Sequence, residues 1–262
     1  MATQLDSSAA RRFRHALVLW AAFFTLNVIL NGTIPFILGA DLHAWTSSTA
    51  KAILYPLLIY GILFLVVPLI LAKGIPTVRQ PAFLFPLILA VVAISLWFVF
   101  RGIGAIAVLV LAYLHWRFDL SELGFRSRGW GGDLTAIILP GLLTAAAGVL
   151  QAGGWSPEPG KALLSALDRL FANPASSVEN LFYFGFVAER LSLKTGRWFT
   201  PILIALMYTA HEMSNPEYWY KSMSFGFVFV GVVLITALYL WRRNVVAIWL
   251  SDGLRWFLTG LI

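Results

Sequence analysis

Long apolar runs that contain few charges recur along almost the whole chain, separated by short polar breaks. A helix needs about 20 apolar residues to cross the hydrocarbon core of a bilayer. Soluble domains carry about 25% charged residues, whereas this chain carries 12% and is 60% hydrophobic. The pattern therefore predicts an all-α fold, a polytopic transmembrane helical bundle whose outer surface contacts lipid.

We predict about nine spans, each scaled to the thickness of the hydrocarbon core. They cover residues 15–38, 52–71, 83–100, 102–116, 134–153, 178–191, 199–213, 223–241 and 245–262. The first run is too long for a signal peptide and lacks a clear cleavage site, so we expect it to be retained. The domain prediction is a cytoplasmic tail over residues 1–14 and one transmembrane domain over residues 15–262.

The basic residues indicate the orientation of the spans. Lysine and arginine favour the cytoplasmic side of a membrane, and with the N-terminus inside most of them fall on that side. The net charge of +7 is therefore a topology signal, and we expect no nucleic-acid partner. We expect a bacterial inner membrane protein with a cytoplasmic N-terminus, surrounded by lipids, with a membrane protein or peptide as partner.

Two loops have distinctive sequences. Residues 117–133 are polar and glycine-rich and fall on the inside. Residues 155–177 fall on the outside and hold apolar residues at helical spacing, namely Leu163, Leu164, Leu167, Leu170 and Phe171. This spacing predicts a short amphipathic helix in the membrane interface.

Ionisable side chains inside a membrane are costly and therefore candidates for function. The candidates are Glu179, His211, Glu212, Asp252 and Arg255. Glu179 and His211 lie at equal distances from a turn near residue 196, so two antiparallel helices place them at one depth. There they either share a proton or water, or form a structural hydrogen bond. Asp252 and Arg255 have the spacing of an i,i+3 ion pair, and Glu212 is expected to be solvated.

Three motifs around these residues resemble the CPBP family of CAAX prenyl endopeptidases and bacteriocin-processing or immunity proteins. The sequence ENLFYF at residues 179–184 stands where the family has EExxxR. The sequence MYTAH at residues 207–211 stands where the family has FxxxH. The sequence DGLRW at residues 252–256 aligns with the late HxxxN motif. The likeness covers residues 120–258, beginning at LSELGF, and implies a CPBP-like helical core in the C-terminal half.

The resemblance implies a role for each of these positions. Glu179 would be the general base that activates a water, and His211 would be its partner. Asp252 and Trp256 stand where the family keeps its oxyanion donors, Asn180 replaces the second glutamate, and Phe184 replaces the arginine. An ionised Asp252 would repel an oxyanion, and losing one oxyanion donor costs about 10²–10³ in rate. We therefore expect severely impaired catalysis.

Four functional interpretations follow from the sequence. We favour a non-catalytic relative that binds a membrane partner or a lipophilic ligand. The alternative is an active intramembrane glutamic endopeptidase that cleaves a membrane-associated or prenylated peptide. A metal site of Glu179, His211 and Asp252 is the third, although no HExxH spacing supports it, and a structural subunit of a larger complex is the fourth. We expect no cofactor and no metal, and the lack of cysteine excludes disulfides.

Overall fold

The computed structural model of the chain describes residues 2–33, 56–95, 120–152, 158–172, 179–214 and 224–261. Within these ranges every regular element is helical, and the β-type contact is an isolated bridge between Phe125 and Asn244. The all-α prediction is confirmed for this part of the chain. The predicted span over residues 102–116 and the end of the span over residues 83–100 lie outside the described residues.

The α-helices of the described ranges are numbered in chain order. They are α1 (Ala2–Asn27), α2 (Val67–Lys73), α3 (Ile75–Val78), α4 (Pro81–Ser95), α5 (Trp130–Ala152), α6 (Pro159–Leu167), α7 (Glu189–Glu212), α8 (Ser224–Arg242) and α9 (Val245–Thr259). Wider π-helical turns extend four of them, at Val28–Thr33, Pro56–Val66, Asp168–Ala172 and Leu181–Ala188. Because α1 begins at Ala2, the predicted N-terminal tail is helical and continuous with the first span.

Within the described residues, two helical stretches are long and apolar enough to cross a membrane, judged by length and composition. They are Ser8–Thr33 and Phe225–Arg242, and a shorter apolar helical run covers Trp130–Leu143. The two stretches coincide with the first and eighth predicted spans. The count of nine spans stays a prediction.

The helices pack around a core that is rich in aromatic rings. Helix α5 packs along α9, and α7 packs along both α1 and α8. Phe23 of α1 and the residues Phe182 and Tyr183 are among the largest fully buried side chains. The indole nitrogen of Trp20 donates a hydrogen bond to the carbonyl oxygen of Leu203 at 2.7 Å, which fixes α1 against α7.

The chain reverses direction at Gly196, inside α7. The backbone leaves the helical region there, with φ 67° and ψ −174°, a conformation that is essentially restricted to glycine. Thr200 donates a hydrogen bond to the carbonyl oxygen of Gly196 at 2.6 Å, which closes the turn. The two predicted spans over residues 178–191 and 199–213 therefore form a helical hairpin.

A buried polar network joins the loop before α5 to the turn between α8 and α9. Arg242 donates to Asp133 at 3.0 Å, and the carboxylate also accepts hydrogen bonds from Ser127 and Asn244. Asn244 caps α9 by accepting from the backbone of Val246 and Ala247. Burial raises the pKa of Asp133, but the hydrogen bonds and the charge of Arg242 outweigh burial and hold this pKa below its usual value. The network lies just before the predicted span over residues 134–153.

A second polar group lies at the turn between α8 and α9. Glu189 accepts hydrogen bonds from Arg243 and from Tyr239. Arg190, the next residue, is buried, with its guanidinium over the ring of Phe186. Helix packing brings Arg243 to Glu189 from a distant part of the sequence.

A short helix, α6, is present where the sequence predicts one, and its location in the membrane interface stays a prediction. Its residues Ala162 and Ala166 are buried, and Ala162 lies against Gly260 at the end of α9. Its leucines Leu163, Leu164 and Leu167 are exposed on the other face. The small residues allow close packing on α9, and the apolar face points away from the protein.

Candidate functional site

Glu179 and His211 lie next to each other in the helical hairpin. The Nδ1 atom of His211 is 3.9 Å from Oε1 of Glu179, and the two residues are 5% and 6% exposed, respectively. The prediction that they come within reach of a hydrogen bond or one bridging water is confirmed by this distance. The chemical roles of the two residues stay predictions.

Tyr183 completes this group, which we call the Glu179 cluster (Glu179, Tyr183 and His211). Its hydroxyl lies 2.8 Å from Nδ1 of His211, and the imidazole tautomer decides which group donates. Sequence reasoning missed this tyrosine, although it follows Glu179 by four residues and therefore lies on the same helical face. A carboxylate, an imidazole and a phenol are thus held together away from solvent.

Aromatic rings enclose His211. The rings of Phe23 and Phe64 meet the imidazole nearly at right angles, each with its centroid at 5.8 Å. Tyr208 approaches at 6.2 Å, and Phe182 stacks on Phe64. These rings come from α1, from Pro56–Val66 and from the hairpin itself. The apolar shell favours neutral or paired groups over isolated charges.

Two other rings of the motifs have partners away from His211. Phe184, at the motif position of the family's arginine, packs against Tyr239 at 5.6 Å. Trp256 is half-exposed and lies under the guanidinium of Arg169, with 5.6 Å to the ring centroid. Neither is among the rings found against His211. Asn180 is half-buried, one residue after Glu179.

Asp252 lies between two arginines. Arg255 donates to one of its oxygens at 2.6 Å, which confirms the predicted i,i+3 ion pair. Arg169 donates to the other oxygen at 2.8 Å. Sequence reasoning missed Arg169, which lies in the turn Asp168–Ala172 after α6 and has no periodic relation to Asp252. Two cations stabilise the ionised form of this carboxyl group.

Glu212 is not solvated as predicted. Its side chain is only partly exposed, and Tyr208 lies one turn earlier on α7. The carboxylates of Glu179 and Glu212 lie close enough to Arg169 for their charges to interact with its guanidinium. The turn after α6 is therefore electrostatically linked to the Glu179 cluster.

Two buried polar atoms near the hairpin have no hydrogen-bond partner among the described residues. They are Oδ1 of Asn31 and the hydroxyl oxygen of Thr209. Asn31 follows the buried Asn27 by one helical turn and donates to its side chain at 3.2 Å. Because such atoms normally find a partner, they indicate where a water or a polar ligand group would bind. The sequence did not point to Asn31 or Thr209, because both side chains are neutral and lack the cost that marks an ionisable group in a membrane.

The third interpretation, a metal site, finds no support in this part of the chain. Across residues 2–33, 56–95, 120–152, 158–172, 179–214 and 224–261, no three His, Asp or Glu side chains are grouped so that they could hold a metal ion. Asp252 is instead occupied by Arg169 and Arg255. The Glu179 cluster can accept, donate and relay protons, which is the chemistry of hydrogen bonding or of general acid–base catalysis.

No protein-family model matches this chain, and neither the curated proteins nor the solved structures contain a significant match to it. The functional interpretation therefore depends on the residues of the site and on the motifs that they form.

Proposed function

We propose that this chain is an integral membrane protein of about nine spans, with a CPBP-like core over residues 120–258 and its N-terminus in the cytoplasm of a bacterial cell. The stretches Ser8–Thr33 and Phe225–Arg242 support a membrane location. Large apolar side chains also cover the helix surfaces, including those of Val18, Phe85 and Phe199. Such a surface suits lipid and would promote association in water.

The favoured function is binding of a membrane partner or a lipophilic ligand by a catalytically impaired relative of the CPBP proteases. The observation that carries this proposal is the position of Asp252 between Arg169 and Arg255. An ionised carboxylate accepts hydrogen bonds and donates none. Asp252 would stand where the family has an oxyanion donor, so this position lacks the group that peptide hydrolysis requires.

The unpartnered polar atoms support binding at the hairpin. Oδ1 of Asn31 and the hydroxyl of Thr209 are buried without a partner among the described residues, on the two helices that pack around His211. The rings of Phe23 and Phe64 lie against His211 and offer apolar contacts. A ligand with one polar group and a hydrocarbon body would satisfy both features.

An active intramembrane glutamic endopeptidase is the alternative, and the distance of 3.9 Å between Glu179 and His211 favours it. In that reaction Glu179 takes a proton from water as the water oxygen attacks the peptide carbonyl. The Tyr183 hydroxyl, close to His211, would have to replace the lost oxyanion donors. A prenylated or other membrane-associated peptide would be the substrate.

Ligand-induced stabilisation tests the binding function. A farnesylated peptide is titrated into the detergent-solubilised protein, with the unmodified peptide as control, and the thermal unfolding midpoint is measured. A ligand that binds the folded state raises this midpoint. We expect the rise in the wild type and in Glu179→Gln alike, and a smaller rise in Trp256→Ala, which loses the half-exposed ring at the motif position where the family has an oxyanion donor.

The two interpretations order these variants oppositely. A rise that disappears in Glu179→Gln and persists in Trp256→Ala would contradict the binding function. The same result would favour a site organised around the catalytic carboxylate.

A further inference from the structure

Two arginines contact Asp252 where the turn Asp168–Ala172 meets α9. The side chains of Arg255 and Arg169 are 31% and 16% exposed, whereas that of Asp252, which both arginines contact, is 13% exposed. Trp256 is 40% exposed and lies under the guanidinium of Arg169. We call Arg169, Arg255 and Trp256 the cationic patch. Two positive charges face one negative charge within it.

The bonds of the two arginines leave donors for a further ligand. Arg169 uses its Nε atom for Asp252, and Arg255 uses Nη2. A guanidinium has five N–H donors. Among the described residues, each of the two arginine side chains forms hydrogen bonds through one of its three nitrogens. The remaining donors suit the oxygens of a phosphate group, which guanidinium binds in a bidentate manner.

The carboxylates around Arg169 do not cancel the patch. Glu179 and Glu212 act on Arg169 from the interior, where Glu179 is buried. Asp168 is exposed but forms no ion pair with Arg169, whose partner among the described residues is Asp252. Glu158 is paired with Lys161 on the first turn of α6. Arg169 and Arg255 are therefore the side chains of the patch that can contact an anion.

An apolar surface adjoins the cationic patch. The exposed leucines Leu163, Leu164 and Leu167 belong to α6, whose chain continues directly into the turn that carries Arg169. Leu164 is 68% exposed. Helix α6 is held on α9 by Ala162 and Ala166, so its leucine face is directed outward. This arrangement matches the parts of a lipid at a membrane surface. The cations suit the headgroup, the tryptophan suits the interface, and the leucine face suits the acyl chain.

We propose that the cationic patch binds the phosphate of an anionic phospholipid, whose acyl chain lies along the leucine face of α6. The site is distinct from the Glu179 cluster and goes beyond the proposed function. Binding there fixes α6 at the membrane interface through a specific lipid contact.

Lipid titration of the detergent-solubilised full chain tests this site. The unfolding midpoint is followed as phosphatidylglycerol or phosphatidylcholine is added at equal mole fractions. We expect phosphatidylglycerol to stabilise the wild type more strongly. In Arg169→Gln with Arg255→Gln, half-maximal stabilisation should need at least about tenfold more phosphatidylglycerol, because two charge-assisted contacts are lost. The single variant Arg169→Lys keeps the charge and should retain part of the effect.

Lys161→Gln is the matched control, because it removes the same charge from the exposed surface of α6 outside the patch. It should behave like the wild type. Glycerol phosphate and inorganic phosphate distinguish the lipid from its headgroup, since neither offers an acyl chain to the leucine face. Leu164→Ser should weaken the lipid effect and leave any effect of inorganic phosphate unchanged.

Three results would overturn the proposal. The first is equal stabilisation by phosphatidylglycerol and phosphatidylcholine. The second is an unchanged phosphatidylglycerol response in the arginine variant, and the third is an equal loss in Lys161→Gln. None of these results changes the expected response of Glu179→Gln to the farnesylated peptide. Failure of the lipid site can therefore be distinguished from failure of the proposed function.

Discussion

The Nδ1 atom of His211 lies 3.9 Å from Oε1 of Glu179, although a continuous helix would hold these residues about 48 Å apart. The reversal at Gly196 makes this contact, and the turn has a glycine-only conformation. Tyr183 on one arm of the hairpin then reaches His211 on the other. The site thus depends on a single turn in a sequence that otherwise favours helix.

Substitution at Gly196 should destabilise the hairpin. We expect Gly196→Ala to lower the free energy of unfolding by about 2 kcal/mol, because alanine is strained in this conformation. No heavy atom lies within 4 Å of the added Cβ, so the cost is conformational. Gly231→Ala in α8 is the control, since its Cβ also meets nothing within 4 Å, and it should stabilise by up to about 1 kcal/mol. If a denaturant titration gave the same change in unfolding free energy for Gly196→Ala and Gly231→Ala, the conformational requirement for glycine at position 196 would be contradicted.

The Glu179 cluster should be energetically coupled. Glu179→Gln and Tyr183→Phe both alter groups that face His211, so their effects on the unfolding free energy should deviate from additivity by at least about 0.5 kcal/mol. Tyr183→Phe combined with Tyr239→Phe is the control, because the Tyr239 hydroxyl donates to Glu189 instead. That pair should be additive. Additive effects in the first cycle would show that the cluster does not act as a unit.

The network at Asp133 should contribute to stability in a pH-dependent way. Asp133→Ala leaves the buried Arg242 without its ion-pair partner and should cost about 3 kcal/mol. Ser127→Ala removes one hydrogen bond to the same carboxylate and should cost about 1 kcal/mol. Because the pKa of Asp133 is lowered from 3.8, its contribution is present above pH 3.8 and is lost as the pH falls through the lowered pKa.

Unfolding midpoints measured across this range check the assignment. The wild type should lose stability on acidification relative to Asp133→Asn, which has no proton to gain at this position. If the unfolding midpoints of the two proteins changed with pH in parallel, the assignment of this pH dependence to Asp133 would be contradicted.

The loops on either side of α5 should face opposite sides of the membrane. The chain has no cysteine, so Arg128→Cys and Lys161→Cys, both at exposed positions, provide single labelling sites. A membrane-impermeant thiol reagent should label Arg128→Cys in inside-out vesicles and Lys161→Cys in right-side-out vesicles. Both should react after solubilisation. Labelling of the two from the same side would refute the predicted topology.

The contacts that sequence reasoning predicted are those set by helix geometry. The spacing of Asp252 and Arg255 determines their ion pair, and nearly equal separations from the turn at Gly196 determine the contact of Glu179 with His211. The helical spacing of the leucines likewise predicted the apolar face of α6.

The missed contacts depend on how separate helices pack. No periodicity links Arg169 to Asp252, or Phe23 of α1 to His211. Motif alignment assigns Phe184 to the position of the family's arginine but gives no partner for its ring, which lies in the π-helical segment Leu181–Ala188. The wider turns of a π-helix change which residues share a face, and this ring packs against Tyr239 instead.

Peptide hydrolysis by the reconstituted protein tests the central claim, an intact Glu179–His211 pair in a catalytically impaired site. Wild type and Glu179→Gln in lipid vesicles are incubated with the farnesylated peptide, and products are followed by mass spectrometry. The glutamine cannot take the proton of an attacking water. We predict that the wild type releases no more product than Glu179→Gln, while both bind the peptide. Cleavage by the wild type that Glu179→Gln abolishes would contradict the account.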